Sequence, residues 1–175
     1  MGDSLGRFTL RLAKRDFKFS VAHFTVFGPD AAEPLHGHNY RVKVDVEGRH
    51  LDAAGLVANV GPIKEKVRSL CRQLDERVLL PERSPWVRVI PEGDQLQVAF
   101  RERKYRFPKA EVVLLPLGNI SMELLARYLW ERLSHELEGS PAEALAVELE
   151  ETDGQSCRYR AALGVERFAQ VPQNE

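Results

Sequence analysis

Val21-Ala22-His23-Phe24, followed across a loop by Leu35-His36-Gly37-His38-Asn39-Tyr40, is the stretch on which the reading of this chain turns. Three of the five histidines fall in it. His36 and His38 stand two apart, and Tyr40, Val42, Val44 and Val46 continue an alternation of apolar with polar residues, the period of a half-buried strand. Residues two apart in a strand point to the same face. Both imidazoles can therefore converge on one point, and His23, closing another extended stretch, can bring a third nitrogen to it. Three neutral imidazoles around one Zn²⁺, with a fourth position open, is the arrangement of a catalytic zinc site. Gly37 between two of them lets a backbone or a substrate come close. A plainer reading stands beside this one, since a strand histidine is commonly just a hydrogen-bonded core or surface residue.

Working outward, 175 residues suit one domain over 1–175, long enough to bury roughly 70% of the unfolded chain's surface. Hydrophobic content of 43%, charged content of 29% and a net charge of −1 describe an ordinary globular protein with no basic excess. Nucleic acid is therefore not an expected partner. The longest apolar runs, such as Val112-Val113-Leu114-Leu115, are too short to cross a bilayer, so no membrane is expected either. Met1-Gly2-Asp3-Ser4-Leu5 carries no apolar signal region, and the expectation is a cytoplasmic protein. The two cysteines, Cys71 on the apolar side of a helix and Cys157 in a late strand, read as free thiols with no C-x-x-C or Cys/His neighbour.

Phe8, Leu10 and Leu12 alternate, then Phe17, Phe19 and Val21, with a change of parity near Lys14-Arg15-Asp16 that predicts a bulge or bend in one long strand. Gly28-Pro29-Asp30 marks a loop over 25–35 before the strand from His36 to about Glu47. Pro62 opens a helix whose face is Ile63, Val67, Leu70 and Leu74, ending near Asp75-Glu76. That acidic pair is unfavourable at a helix C-terminus. Leu79-Leu80-Pro81 and Ser84-Pro85 bracket a loop. Val87 and Val89 with Leu96, Val98 and Phe100 predict a hairpin about Pro91–Asp94, which Tyr105–Pro108 extends. Val112–Leu117 is short and apolar, and Pro116 argues against a central strand. Asn119 or Ser121 caps a second helix with Ile120, Leu124, Leu125, Tyr128, Leu129, Leu133 and Leu137 on its apolar face, stopped by Gly139 and Pro141. Two strands about Thr152-Asp153-Gly154 close the chain. Antiparallel pairing throughout gives an α+β sandwich with helices on one face of the sheet.

These residues resemble a known family. The pattern A-H-F, a loop, then L-H-G-H-N-Y is similar to that of the 6-pyruvoyltetrahydropterin and 6-carboxytetrahydropterin synthases. So are Leu74-Asp75, Asn119-x-x-x-Glu123-x-x-Ala126 and Glu150-Glu151-Thr152. The resemblance spans nearly the whole chain. It implies a tunnelling fold: a four-stranded antiparallel sheet backed by two helices, here with an inserted hairpin. It also implies sheet-to-sheet trimers that stack as a homo-hexamer, and a pterin substrate, 7,8-dihydroneopterin triphosphate.

Carried over by position, His23, His36 and His38 match the zinc ligands, and Zn²⁺ is the implied cofactor. Glu151 matches the carboxylate that holds the pterin ring by a charge-assisted two-point contact, with Glu150 its rival. Strand alternation admits only one of the two to the pocket. Thr152 and Glu123 match pocket-lining positions, Glu123 serving equally well as a partner of the helix dipole. Two departures matter. The family's catalytic cysteine falls on Ala32, and its Asp-His relay on Asp75-Glu76, so only Asp75 of that relay is kept. Glu33, three residues before His36, resembles a subgroup in which a loop glutamate replaces the cysteine and the product is 6-hydroxymethyl-7,8-dihydropterin. The Leu-Leu-Pro after the first helix and the inserted hairpin fit that subgroup too. The expected function is a zinc-dependent lyase with Glu33 as general base and Asp75 as an auxiliary. The alternatives are the ordinary pyruvoyl- or carboxy-forming synthase reaction, or an inactive relative that keeps the metal and pterin site.

Overall fold

The computed structural model describes residues 6–152 and 154–164, the side chain of Thr152 excepted. The expected turn residue Asp153 and the strand end at Val165 lie outside the described residues.

β3 (His36–Gly48) is the spine of the molecule, and its valines are the reason. Tyr40, Val42, Val44 and Val46 alternate along it and are essentially inaccessible to solvent. β-Branched residues suit a pleated surface buried on one face. β1 (Phe8–Leu12) and β2 (Lys18–His23) both lie antiparallel on the same edge of β3, β1 against residues 44–48 and β2 against 36–41. The parity change near Asp16 is thus a complete break between two strand segments. On the other edge, β9 (Ala144–Thr152) pairs with β3 and β10 (Gln155–Ala162) with β9, both antiparallel. These four neighbours, β10-β9-β3-β2, are the four-stranded antiparallel sheet implied by the resemblance.

The sheet is larger than that. β4 (Arg77–Pro81) adds parallel to β2, and β8 (Val112–Leu115) parallel to β4. Pairing is therefore mixed rather than antiparallel throughout. The stretch Leu79-Leu80-Pro81, read from sequence as the start of a loop, is strand. Leu79 and Leu80 are both fully buried, so the two-residue alternation that signals a half-exposed strand is missing there. β8 ends just before Pro116 at the edge of the sheet, where a residue without an N–H does no damage.

α1 (Gly61–Leu74) and α2 (Met122–Leu133) cover one face of the sheet. α1 carries Pro62 in its first turn and buries Ile63, Val67, Leu70, Cys71 and Leu74. Asp75 is its C-cap, and Glu76 follows with φ 57°, in the left-handed region that lets a helix end abruptly. α2 is capped by Ser121, whose side chain accepts from the Leu124 N–H. After Leu133 it tightens into a 3₁₀ turn over Ser134–Leu137. Among the described residues no helix is long and apolar enough to cross a membrane.

The insertion between β4 and β8 forms a second sheet. The predicted hairpin is β5 (Arg88–Glu92) and β6 (Gln95–Phe100), and β7 (Arg103–Pro108) adds a third strand. It has its own small core of Val87, Val98 and Phe100, shared with Phe24, Val26 and Leu80 of the main body. That shared core seats the insertion beside the loop carrying Glu33.

Candidate metal and pterin site

His23 and His36 are direct partners across β2 and β3, and His38 lies opposite Val21 one step along. Cross-strand partners and residues two apart share a face, so the register alone brings the three rings together. Their centroids are 4.9 Å (His23–His36), 5.4 Å (His23–His38) and 4.6 Å (His36–His38) apart. Glu151, near the end of β9, enters the same space. One ligand atom from each of His23, His36, His38 and Glu151 lies within 4.8 Å of all the others.

Hydrogen bonds fix which nitrogen faces inward. His23 Nδ1 lies 3.2 Å from the Ile120 carbonyl and His36 Nδ1 2.8 Å from that of Pro34. A carbonyl can only accept, so both Nδ1 atoms carry the proton and both Nε2 atoms present lone pairs, the usual arrangement behind metal-binding imidazoles. Burial first, then the charge of His36, holds the His23 pKa below the ordinary histidine value. The ring is thus neutral, as a ligand must be.

A tetrahedral centre with bonds of about 2.0–2.1 Å needs donors about 3.3 Å apart. The donor atoms here lie within 4.8 Å of one another. Imidazole and carboxylate donors suit zinc and other divalent metals of intermediate softness, so the residues fit such an ion.

Tyr40 completes the cluster. It is two residues beyond His38 and so on the same face, and it is fully buried. Its hydroxyl donates to Glu151 Oε1 at 2.9 Å and lies 3.2 Å from His23 Nε2. Burial first, then the Glu151 carboxylate, drives its pKa well up, so it stays a donor. In the sequence Tyr40 belongs to the motif and to the strand, and its i+2 spacing from His38 is the signal that places it here. Glu151 Oε1 is also 2.8 Å from His38 Nε2, while Oε2 accepts from the Gln155 amide at 3.0 Å.

Glu150 points the other way. It pairs with Lys43 at 2.9 Å alongside Glu148, and its hydrogen bond to Lys43 holds its pKa down. Of the two adjacent glutamates, only Glu151 reaches the cluster.

Glu33 sits at the rim. Its Oε2 is 3.9 Å from His36 Nε2 and accepts the Thr25 N–H at 3.0 Å. Partial burial pushes its pKa up, but hydrogen bonding from Thr25 and the nearby His36 and His23 outweigh this and hold it low. The carboxyl is ionised at neutral pH.

Glu123 lies in the first turn of α2, where it complements the helix dipole. Its charge also bears on Tyr40 and Cys157. Asp75 is not part of the cluster. Its Oδ1 accepts the Ser20 N–H at 2.7 Å, beside a cavity of about 600 Å³ lined by Ser20, Asn39, Arg68 and Asp75 but by none of the three histidines. A Cβ on Gly37 would meet the Val21 carbonyl at an ordinary 3.5 Å, so nothing among the described residues demands a glycine there.

Residues 12–162 match the family model described as 6-pyruvoyl tetrahydropterin synthase. The chain belongs to that family. Its function is accordingly of the pterin-synthase type. A relative from Methanocaldococcus jannaschii, provisionally named a 6-carboxy-5,6,7,8-tetrahydropterin synthase, is 30% identical over 151 residues, 85% of this chain and 92% of that protein.

The 6-pyruvoyl tetrahydropterin synthase of Plasmodium vivax has the same fold, with a TM-score of 0.83 and 28% identity over 90% of this chain and 99% of that one. The corresponding enzyme of Plasmodium falciparum gives 0.83 and 25% over 89% and 98%. The Plasmodium vivax enzyme has also been solved with a catalytic glutamate replaced by alanine or by cysteine.

Proposed function

We propose that this chain is a zinc-dependent lyase that cleaves the side chain of 7,8-dihydroneopterin triphosphate to give 6-hydroxymethyl-7,8-dihydropterin. The observation that carries this reading is the Glu33 carboxylate, ionised and 3.9 Å from His36 Nε2, beside Ala32 where a synthase of this family has cysteine. Neither cysteine of the chain takes that place. Cys71 is buried in α1, and burial pushes its thiol up to about 12, while Cys157 lies in β10. The catalytic glutamate of the Plasmodium vivax relative supports the same assignment.

His23, His36 and His38 would hold the metal, which when bound supplies Lewis-acid polarisation of the substrate's side-chain hydroxyls. Glu33 takes the proton from the hydroxyl whose carbon becomes the aldehyde of the released fragment. The carbon–carbon bond breaks, its electron pair passes into the pterin ring system, and the ring-side carbon then takes a proton. Glu151 accepts from the ring amino group and ring N–H, through the oxygen now engaged by the Gln155 amide. Tyr40 keeps the other oxygen in place. Glu123 lines the same pocket in this reading, while the side chain of Thr152, the other expected lining residue, lies outside the described residues. Asp75, held on Ser20, takes no part in the step within one chain. The reading extends to a sheet-to-sheet homo-oligomer, because β10 ends the sheet as an eight-residue edge that a folded protein has to cover or blunt.

The test is to load the protein with zinc, add dihydroneopterin triphosphate and identify the product by mass. Hydroxymethyl-dihydropterin is expected, and Glu33→Ala should lower turnover by about 100-fold or more, the range of a general base, while leaving the zinc content at wild-type level. A pyruvoyl or carboxy product, or full activity of Glu33→Ala, overturns the assignment. Bound but unchanged substrate identifies an inactive relative.

A further inference from the structure

The three-stranded insertion has no part in the cluster, yet two of its arginines reach the loop that carries Glu33. Arg103, at the start of β7, donates through Nη1 to the Glu33 carbonyl oxygen at 2.6 Å. Arg101, in the turn between β6 and β7, pairs with Asp30 of the same loop. Arg101 adopts φ 53°. A left-handed residue is what the two-residue hairpin turn between Phe100 and Arg103 calls for. From this turn both arginines meet the loop. Behind them, Phe24 stacks on Tyr105 at 5.8 Å and Tyr105 on Phe107 at 6.0 Å, tying the end of β2 to β7.

The loop has its own internal order. Glu33 N–H donates to the Thr25 carbonyl at 2.9 Å while the Glu33 carboxylate receives the Thr25 N–H, and Phe27 N–H donates to Ala31. Asn119 fixes Val26 through both of that residue's backbone groups. With the Glu33 N–H and carboxylate both on Thr25, its carbonyl would be left to solvent, and that carbonyl is where Arg103 binds.

We propose that Arg103 is a positioning residue for Glu33. By holding the Glu33 carbonyl it fixes the backbone from which the carboxylate reaches His36, so the insertion sets the geometry of the base without touching substrate. This rests on the reading of Glu33 as the base. A carboxylate displaced by an ångström or so loses much of its rate, and Arg103 is the contact that resists such displacement from the insertion side.

The experiment compares wild type, Arg103→Ala, Arg103→Lys and the double variant Arg103→Ala/Glu33→Ala, all full-length and zinc-loaded. Hydrogen–deuterium exchange of peptides spanning 24–36 is read alongside kcat, KM and zinc affinity. The expected result for Arg103→Ala is faster exchange at Thr25, Phe27 and Glu33. It should also show a kcat lower by roughly 10- to 100-fold, with KM and zinc affinity within about twofold of wild type. Arg103→Lys, which keeps a donor, should recover most of both. Arg103→Ala should cost nothing further once Glu33 is alanine.

Unchanged exchange in 24–36, unchanged kcat, or a loss that adds in full to that of Glu33→Ala overturns the inference. If the wild type itself makes no product, the lyase reading fails, and the exchange of the loop alone decides whether Arg103 holds it.

Discussion

At the scale of single residues, the site depends on atoms that do not touch the metal position. Tyr40 illustrates this. Its hydroxyl is the link between Glu151 Oε1 and His23 Nε2 in a space closed to water. Tyr40→Phe keeps the ring in the core and removes only that link. We expect the variant to fold, to lose about 1–2 kcal/mol in urea denaturation, and to bind zinc roughly 10- to 100-fold more weakly, the usual effect of removing a group that orients the ligands. Zinc affinity equal to wild type would show that the three imidazoles are oriented without it. The sequence displayed the spacing that puts Tyr40 on the histidine face. It did not display the partner, because Glu151 arrives from a strand far away in the chain.

At the scale of elements, the loop between β2 and β3 carries the site and is fastened from two sides. Asn119, which could equally have been a helix cap by sequence, leaves that task to Ser121. It instead spans the Val26 N–H at 3.0 Å and the Val26 carbonyl at 2.8 Å while also accepting from the Ile120 N–H. Asn119→Ala leaves these partly buried backbone groups without a partner. The expected cost is about 2–3 kcal/mol, a fall in Tm of about 4–12 °C for a chain of this size, to be read by calorimetry. A change under 1 °C would mean that water replaces the amide completely. A short local pattern cannot separate a cap from a clamp, since both call for the same small polar residue at the same place.

At the scale of the whole molecule, the face of the sheet away from the helices is a network of charges. Asp45 and Glu47 are buried in it. Asp45 receives Arg11 through two bonds at 2.8 and 2.9 Å and Arg158 at 2.7 Å, and Glu47 receives Arg160 at 2.7 Å. The hydrogen bond from Arg11 holds the Asp45 pKa low, and that from Arg160 holds the Glu47 pKa low. Groups with depressed folded pKa values stabilise the fold fully above the unfolded carboxylate range of about 4. The contribution declines as pH falls below that range and is gone once pH has passed the folded values. Asp45→Asn/Glu47→Gln should therefore unfold less steeply with acid below about pH 4, as followed by circular dichroism. An acid limb identical to that of the wild type would place the source of the pH dependence elsewhere.

The sequence alone determined what depends on local periodicity and residue chemistry. The two-residue spacing of His36 and His38 put them on one face. The valines of β3 and the faces of α1 and α2 gave the layers, and the resemblance singled out Ala32 and Glu33 in the loop before the histidine pair. Alternation also implied that only one of Glu150 and Glu151 could enter the pocket. Tertiary structure decided what depends on contacts between distant segments. Register across β2 and β3 joined His23 to the pair, and the pairing of β3 with β9 selected Glu151. The parallel strands β4 and β8 emerged only in the folded chain, because Leu79 and Leu80 of β4 are buried on both faces, which erases the alternation that marks a strand, and β8 is a uniformly apolar run of four residues at the edge of the sheet. The grip of β7 on the Glu33 loop lies beyond any local pattern, since the two segments are separated by about seventy residues and meet through a backbone carbonyl that no side-chain signature records.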